Sequence, residues 1–307
     1  MEAGIFLLAA TAPLLYAATN HIDNILLERY FKEGGVGTLM LFSALLSILA
    51  LPILYMIDST VLMVDIESIA LLAFVGFLNV LLLWAYLQAM FTDEPTVVII
   101  YYQLVPVIAL GLGYWLLNET ISRIELIAMT IIILGAVLLS IALDQHGRVT
   151  IRFRTIMYMS IASFCWAFES TLFKLVALEA NPWRSLFWEH LSLVLIGIVL
   201  YLTVRHYREN FKRALRFNSV PVLGLNVTNE SVYMVANTIA AYVVVLIPVS
   251  LTLLMNSFQP LFVLLLGIIL ALAFPRLGVE YVSRRNMPQK VIAILLTGIG
   301  AYLLGWW

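Results

Sequence analysis

A carboxylate in the middle of an apolar, helix-length run is the feature of this chain with the most chemical consequence. Glu230 stands in NVTNESVYMVAN, where Asn226, Glu230, Tyr233 and Asn237 recur at i, i+4, i+7 and i+11, with Asn229 beside them. That spacing puts an amide, a carboxylate, a phenol and a second amide on one helical face. Such a stripe either ties helices together by hydrogen bonds, worth about 0.6 kcal/mol each in a bilayer, or lines a polar pathway. An ionisable group within a span costs a few kcal/mol by insertion scales, so the carboxylate favours the pathway.

Glu169 is the second such group, in CWAFESTLFK. Trp166 lies three residues before it and Phe173 four after, on the same helical face, and an aromatic pair around a carboxylate suits a cation or an amine. Lys174, five positions on, has three destinations open to it: Glu230, a substrate carboxylate, or the interface, reached by snorkelling. Glu169 and Glu230 are also the candidate carriers of a coupled proton.

Two proline-bearing runs add a further set. Tyr101, Tyr102 and Gln103 precede Pro106 in YYQLVPVIALGLGYWLLNE, and Asn256 and Gln259 precede Pro260 in MNSFQPLFVLLLGIILALAF. A proline leaves the carbonyl four residues earlier without its helical donor and kinks the helix, which makes Pro106 and Pro260 hinge or kink residues. Glu119 ends the first run as a gate or cap. Asn79 and Tyr86 repeat the seven-residue interval of Asn226 and Tyr233, so they are expected on the opposite wall. The polar residues Asn20, His21, Asp23 and Asn24 come late in the first run and are expected to reach the interface. Asp93 and Glu94 read as a turn before Pro95, and the lone Cys165 as a small buried hydrophobe.

The elements that must position these groups follow from composition. Of 307 residues, 63% are hydrophobic and 11% charged, with mean hydropathy +1.01, less than half the charge of a soluble domain. Apolar runs of about 20 residues span a bilayer. Ten such runs occur: 3–27, 36–57, 67–91, 95–117, 122–143, 155–179, 183–204, 218–243, 247–273 and 289–307. All are expected to be helices, because backbone polar groups facing lipid must be satisfied within their own segment. The N-terminus lacks a basic signal-peptide start and reads as a first span that stays. The segment 205–219 reads as a basic loop touching anionic headgroups.

The chain echoes itself. Pro106 and Pro260 correspond, as do Tyr16 and Ala17 with Trp166 and Ala167, and Asn79 and Tyr86 with Asn226 and Tyr233. This divides one membrane domain into a first five-helix repeat, 1–143, a linker loop, 144–154, and a second five-helix repeat, 155–307. Five is odd, so the second repeat enters the membrane from the opposite side, the inverted arrangement of secondary transporters. The fold class expected is therefore all-α integral membrane, ten transmembrane helices as two inverted five-helix repeats. Fourteen Lys and Arg fall in or at the edges of alternate loops and two at the edges of the others, which predicts both termini on the non-cytoplasmic side.

The net charge of −1 favours no nucleic acid. No GxxxxGK[ST], HExxH or GxSxG occurs, and no Cys/His cluster, so no ATPase, hydrolase, metal or cofactor role is expected.

Pro106 and Val107, with Glu119 thirteen residues after the proline and Thr120 next, and the aromatic–small pair Trp166 and Ala167, resemble the drug/metabolite transporter superfamily in its EamA-like branch. The resemblance implies a ten-helix carrier with a central cavity lined by the first, third, fourth, sixth, eighth and ninth spans. It implies alternating access and substrates among small organic solutes such as amino acids, nucleotide sugars, phosphorylated metabolites and amphiphilic drugs. Two departures stand out. Ala273 takes the place of Glu119 in the second half, and ten-helix members usually keep both termini inside.

The expected function is a secondary transporter, not an enzyme, moving a small polar or amphipathic metabolite, an amino acid or amine before a polyanion, with export favoured by the resemblance. A flippase for a lipid-linked or amphiphilic molecule is the alternative, and a membrane receptor or enzyme the more distant one. The expected setting is a bacterial or archaeal inner membrane, as monomer or dimer, with substrate, lipid and a coupled proton as partners.

Overall fold

The computed structural model describes residues 3–31, 35–116, 122–143, 149–217, 219–247, 249–273 and 287–304. Helices account for almost all of them. In order they are α1 (Ala3–Ile25), α2 (Gly35–Leu46), α3 (Ala50–Ile57), α4 (Ile66–Thr92), α5 (Pro95–Ile100), α6 (Leu104–Leu116), α7 (Arg123–Ser140), α8 (Phe153–Ala180), α9 (Pro182–Thr203), α10 (Arg205–Phe217), α11 (Ser219–Leu246), α12 (Val249–Met255), α13 (Gln259–Ala273) and α14 (Met287–Leu304).

Among the described residues, six helical stretches are long and apolar enough to cross a membrane: Gly35–Ile57, Ile66–Thr92, Val97–Leu116, Phe153–Ala180, Pro182–Thr203 and Ser219–Leu246. The four remaining expected spans coincide with α1, α7, α12–α13 and α14. Phe77, Trp115, Leu134, Leu202 and Leu272 are exposed around the outside, a surface that suits lipid and not water.

Start signals explain several boundaries. Asp65 caps α4 by accepting from the Ser68 amide at 2.8 Å. Pro182 opens α9 at its first turn, where a missing N–H costs nothing, and Asn181 accepts from the Trp183 amide at 3.0 Å.

Prolines account for the breaks. Short 3-10 turns at Ser47–Leu49, Tyr101–Gln103 and Asn256–Phe258 join α2 to α3, α5 to α6 and α12 to α13. Each turn contains the carbonyl that a proline four residues on deprives of its usual helical donor, and which accepts instead from the amide closing the turn: Ile48 before Pro52, Tyr102 before Pro106 and Asn256 before Pro260. A π-helical turn, Leu26–Tyr30, extends α1.

The packing pairs α4 with α8, α1 with α11 and α7 with α14; α6 also packs on α8, and α1 on α13. The helices α2 and α3 pack on α9, and α6 on α12.

Two expectations about the connections change. Most of the segment 205–219 is not a loop: α10 occupies Arg205–Phe217, with Arg205, Lys212, Arg213 and Arg216 exposed and Asn210 buried. Its Phe211 ring lies 4.5 Å from that of Phe42. Gly37 makes the approach possible, since a Cβ there would lie 2.1 Å from the Tyr207 ring. Basic residues at helical spacing around Tyr207, Phe211 and Leu215 form an amphipathic helix, which a count of charges alone reads as a loop. The span expected over 122–143 ends as helix at Ser140, and Ile141–Leu143 pairs antiparallel with Val149–Ile151 in a two-stranded ribbon. Glu119 and Thr120 lie outside the described residues.

At one end of the bundle Asp93 forms an ion pair with Arg152 at 3.3 Å and accepts from the Thr155 hydroxyl. At the other, Arg184 at the start of α9 donates to Thr60 Oγ1 at 2.8 Å and pairs with Asp58 at 3.6 Å. These contacts fix the ends of α4 and α3 against α8 and α9.

Candidate functional site

A central cavity of about 920 Å³ of empty space lies within the bundle. It is walled by α1 (Tyr16, Thr19, Asn20, Asp23), α2 with its 3-10 turn (Ser43, Ser47), α4 (Asn79, Tyr86), Tyr102, α8 (Trp166, Glu169), α11 (Asn229, Glu230, Tyr233, Asn237) and Gln259. A smaller cavity of about 460 Å³ adjoins it, reached by Ser170, Phe173, Glu189, Thr252 and Asn256. The two share Tyr16, Trp166, Glu169 and Asn237.

The shared wall is an aromatic layer. Tyr16 meets Trp166 edge-on, with centroids 6.0 Å apart, and lies 5.8 Å from Tyr233. Tyr102 meets Trp166 edge-on at 4.7 Å and stacks on Tyr86 at 6.0 Å.

Local helix architecture delivers the polar groups. On α1, Tyr16, Thr19, Asn20 and Asp23 fall at i, i+3, i+4 and i+7, so all four share one face. Asp23 is 7% exposed and accepts from Asn229 Nδ2 at 2.6 Å, while the Tyr86 hydroxyl lies 3.1 Å from its other oxygen and 2.9 Å from Asn20 Oδ1. Glu230 accepts from the Ser47 hydroxyl at 3.2 Å, and Ser47 is placed by the turn before Pro52.

Glu189 of α9 accepts from Asn79 and Asn237 at 3.4 and 3.5 Å, and Asn79 also reaches the Tyr233 hydroxyl at 3.4 Å. Gly76 permits this: a Cβ there would lie 2.6 Å from the Ser192 Cβ and 3.4 Å from the Glu189 carbonyl.

Four buried side-chain atoms around the central cavity have no hydrogen-bond partner among the described residues: Asn20 Nδ2, Asn229 Oδ1, Gln259 Oε1 and Glu169 Oε2. Buried polar atoms are paired as a rule, so an unpaired set converging on one cavity marks room for a ligand's own polar groups. Among the described residues that line either cavity, none is Lys, Arg or His, whereas Asp23, Glu169, Glu189 and Glu230 all are lining residues. No group of three or more His, Cys, Asp or Glu among the described residues is arranged to hold a metal ion.

Of the residues expected from sequence, Asn79, Tyr86, Tyr102, Trp166, Glu169, Asn229, Glu230, Tyr233 and Gln259 converge on the central cavity, and Asn256 lines the smaller one. Three do not join them. Asn226 turns its amide onto its own helix, donating to the Val222 carbonyl at 2.7 Å. Gln103 is buried outside the lining of either cavity. Lys174 meets neither Glu230 nor a cavity; its Nζ donates at 2.8 Å to the Ile247 carbonyl, at the end of α11, where a cation suits the helix dipole.

The expected interface cluster on α1 is also corrected. Asn20 and Asp23 are buried cavity residues, while His21 bonds the Val263 carbonyl at 2.8 Å. The cavity also extends to the second and seventh spans, through Met40, Ser43, Ala44, Ser47 and Leu193.

Comparison with known proteins adds a family likeness. No curated protein matches the chain. Among solved structures 28 chains match. One of them, described only as the crystal structure of a protein, is 14% identical and superposes with a TM-score of 0.59 over 99% of this chain and 98% of its own. That likeness extends the shared fold over the whole chain. Residues 3–141 match the model of the EamA-like transporter family. Over those residues, a little under half of the chain, it is similar to the EamA-like transporters of the drug/metabolite transporter superfamily, and with its apolar helices this supports a multi-pass membrane protein.

Proposed function

We propose that the chain is a secondary transporter that moves a small organic cation or zwitterion by alternating access, in the direction of export. The observation that carries this reading is the central cavity itself: its charged lining residues are the carboxylates Asp23, Glu169 and Glu230, set at mid-bundle among Tyr86, Tyr102 and Trp166. Carboxylates within a bilayer are expensive, and a cationic solute offsets that cost.

Helix packing supports two repeats, 1–143 and 155–307, joined by 144–154. If α1, α2–α3, α4, α5–α6 and α7 are exchanged for α8, α9, α11, α12–α13 and α14, the observed pairs map onto one another. The pair α4 with α8 becomes α11 with α1; the pair α6 with α8 becomes α13 with α1; the pair α7 with α14 maps onto itself. An odd number of spans per repeat makes the two inverted, with ten spans in all and the site between them. The aromatic layer of Tyr16, Trp166 and Tyr233, lying between the two cavities, is the element that opens to one side and then the other. The alternation of basic connections, α10 among them, supports both termini on the non-cytoplasmic side.

Transport by purified protein in liposomes tests the reading. Labelled organic cations are expected to cross in a saturable manner, and more slowly after Glu169→Gln or Glu230→Gln. Scrambling of a headgroup-labelled lipid without solute movement identifies a flippase instead and overturns the reading.

A further inference from the structure

We propose that the central cavity is built for a linear dication, an aliphatic diamine or amino-guanidine, with one charged end held by Asp23 and Glu230 and the other by Glu169. This rests on the transport reading and names the substrate class of the same site.

Three features of the cavity carry it. The first is the placing of the carboxylates at two poles. On α1, Asp23 lies seven residues from Tyr16; on α11, Glu230 lies seven residues from Asn237. Tyr16 and Asn237 belong to the wall that also holds Glu169. At 1.5 Å per helical residue, Asp23 therefore sits about 10 Å along the bundle from Tyr16, and Glu230 about 10 Å from Asn237 and about 5 Å from Tyr233 of the same layer, which sets this pole apart from Glu169. An extended five-carbon diamine, with its nitrogens about 7.5 Å apart, reaches both poles with hydrogen-bonding distance to spare at its ends.

The second feature is the set of unpaired atoms. Asn229 (5% exposed) and Gln259 (2% exposed) leave Asn229 Oδ1 and Gln259 Oε1 without partners, and Glu169 Oε2 is unpaired as well. All three are acceptors, and an ammonium carries three N–H donors with no acceptor. Asn229 Oδ1 belongs to the amide already bonded to Asp23, so it serves the same pole. Among the described residues that line this cavity the one unpaired donor, Asn20 Nδ2, is a single amide group. A lone neutral amide is too little to hold a substrate carboxylate against three protein carboxylates, which separates a diamine from a diamino acid of the same length.

The third feature is the wall between the poles. Tyr86, Tyr102 and Trp166 form a continuous aromatic run, while Val80, Leu82 and Leu83 supply apolar surface. A methylene chain fits this stretch, and the ring faces attract the flanking charges.

Three probes of equal chain length test the proposal on the full chain in liposomes: 1,5-diaminopentane, pentylamine and lysine. Uptake of the diamine is expected to exceed that of each other probe by about tenfold or more, the scale set by losing one end's buried charge pair. Asp23→Asn and Glu169→Gln, made separately, each reduce the preference for diamine over monoamine to within about twofold, again by removing one such pair. Thermal stability measured without ligand identifies any variant that merely misfolds, and the other pole's variant then decides. Equal uptake of pentylamine or lysine overturns the dication and leaves the transport reading intact. Thermal stabilisation selective for the diamine, with no probe transported, keeps the ligand class and overturns transport. A diamine that neither stabilises the protein nor is taken up overturns the proposal.

Discussion

Asn229 Nδ2 lies 2.6 Å from Asp23 Oδ1, and this bond joins α11 to α1 across two helices from opposite ends of the chain. The same carboxylate lies 3.1 Å from the Tyr86 hydroxyl of α4, so three helices meet at one side chain. Asp23→Ala leaves the Asn229 amide without its acceptor, while the Tyr86 hydroxyl keeps Asn20 Oδ1 at 2.9 Å. We expect a loss of about 1–3 kcal/mol of stability per buried group left unpaired. Asp23→Asn retains the shape and most of the packing, so its thermal stability is expected to stay closer to wild type while cation uptake falls. Unfolding midpoints in detergent, measured beside liposome uptake, separate the two effects; an uptake unchanged by Asp23→Asn removes the charge of Asp23 from the site.

Gly76 is the contact that brings α4 onto α9. A methyl group there would stand 2.6 Å from the Ser192 Cβ, well inside contact distance, and 3.4 Å from a backbone oxygen. Gly76→Ala is expected to cost about 1–3 kcal/mol by overpacking and to part Asn79 from Glu189. The double variant Gly76→Ala with Ser192→Gly removes the opposing Cβ and should recover most of the stability. Denaturation of the single and double variants checks this, and a single variant as stable as wild type refutes the close contact.

Much of the site was legible because its signals are periodic. The stripe Glu230, Tyr233 and Asn237 on α11, and the corresponding Asn79 and Tyr86 on α4, reach the cavity as helical spacing requires. The same rule had a signal on α1 in Tyr16, Thr19, Asn20 and Asp23, but Asp23 lies near Glu28 and Arg29 and so resembles a helix end. The π-helical turn Leu26–Tyr30 carries the helix onward and leaves Asp23 buried. Ser47 gave no sign by type, since hydroxyls in spans usually bond their own helix; its signal was Pro52, which breaks α2 from α3 just as Pro106 and Pro260 break their helices. Asn226 shows the limit of periodicity, because an amide on the right face can still satisfy itself on the carbonyl four residues back. Glu189 follows a helix start closely and needed the Gly76 contact, a tertiary fact, to bring it to Asn79.

The proline breaks make a prediction of their own. Pro260→Ala restores an amide that can bond the Asn256 carbonyl, and an unstrained helix there gains as much as about 3 kcal/mol. Straightening rotates Asn256 and Gln259 relative to the cavities they line. Pro260→Ala is therefore expected to be at least as stable as wild type yet slower in transport, and Pro106→Ala to behave likewise through Tyr102. Unfolding midpoints with uptake rates check the pairing of gain and loss. Variants that are destabilised and fully active contradict it.

The end of the bundle where Arg184 meets the segment after α3 carries a pH dependence with a definite sign. Hydrogen bonds from the Thr60 hydroxyl and amide, with the Arg184 guanidinium adding to them, hold the Asp58 carboxyl below the usual carboxylate range. A carboxylate with a depressed folded-state pKa stabilises the folded form above its unfolded value, and that contribution is lost as the pH falls through its folded value. Protonation of Asp58 takes away the acceptor of Thr60 and the counter-charge of Arg184, while the Arg184 to Thr60 bond at 2.8 Å and the Trp188 to Val61 bond at 2.8 Å stay. Backbone amides of Thr60 to Met63 are therefore expected to be protected from hydrogen exchange at neutral pH and to lose protection only below the ordinary carboxylate range. In Asp58→Asn the same amides should exchange with no pH-dependent step beyond the intrinsic one, and an unchanged acid transition in that variant assigns the step to another group.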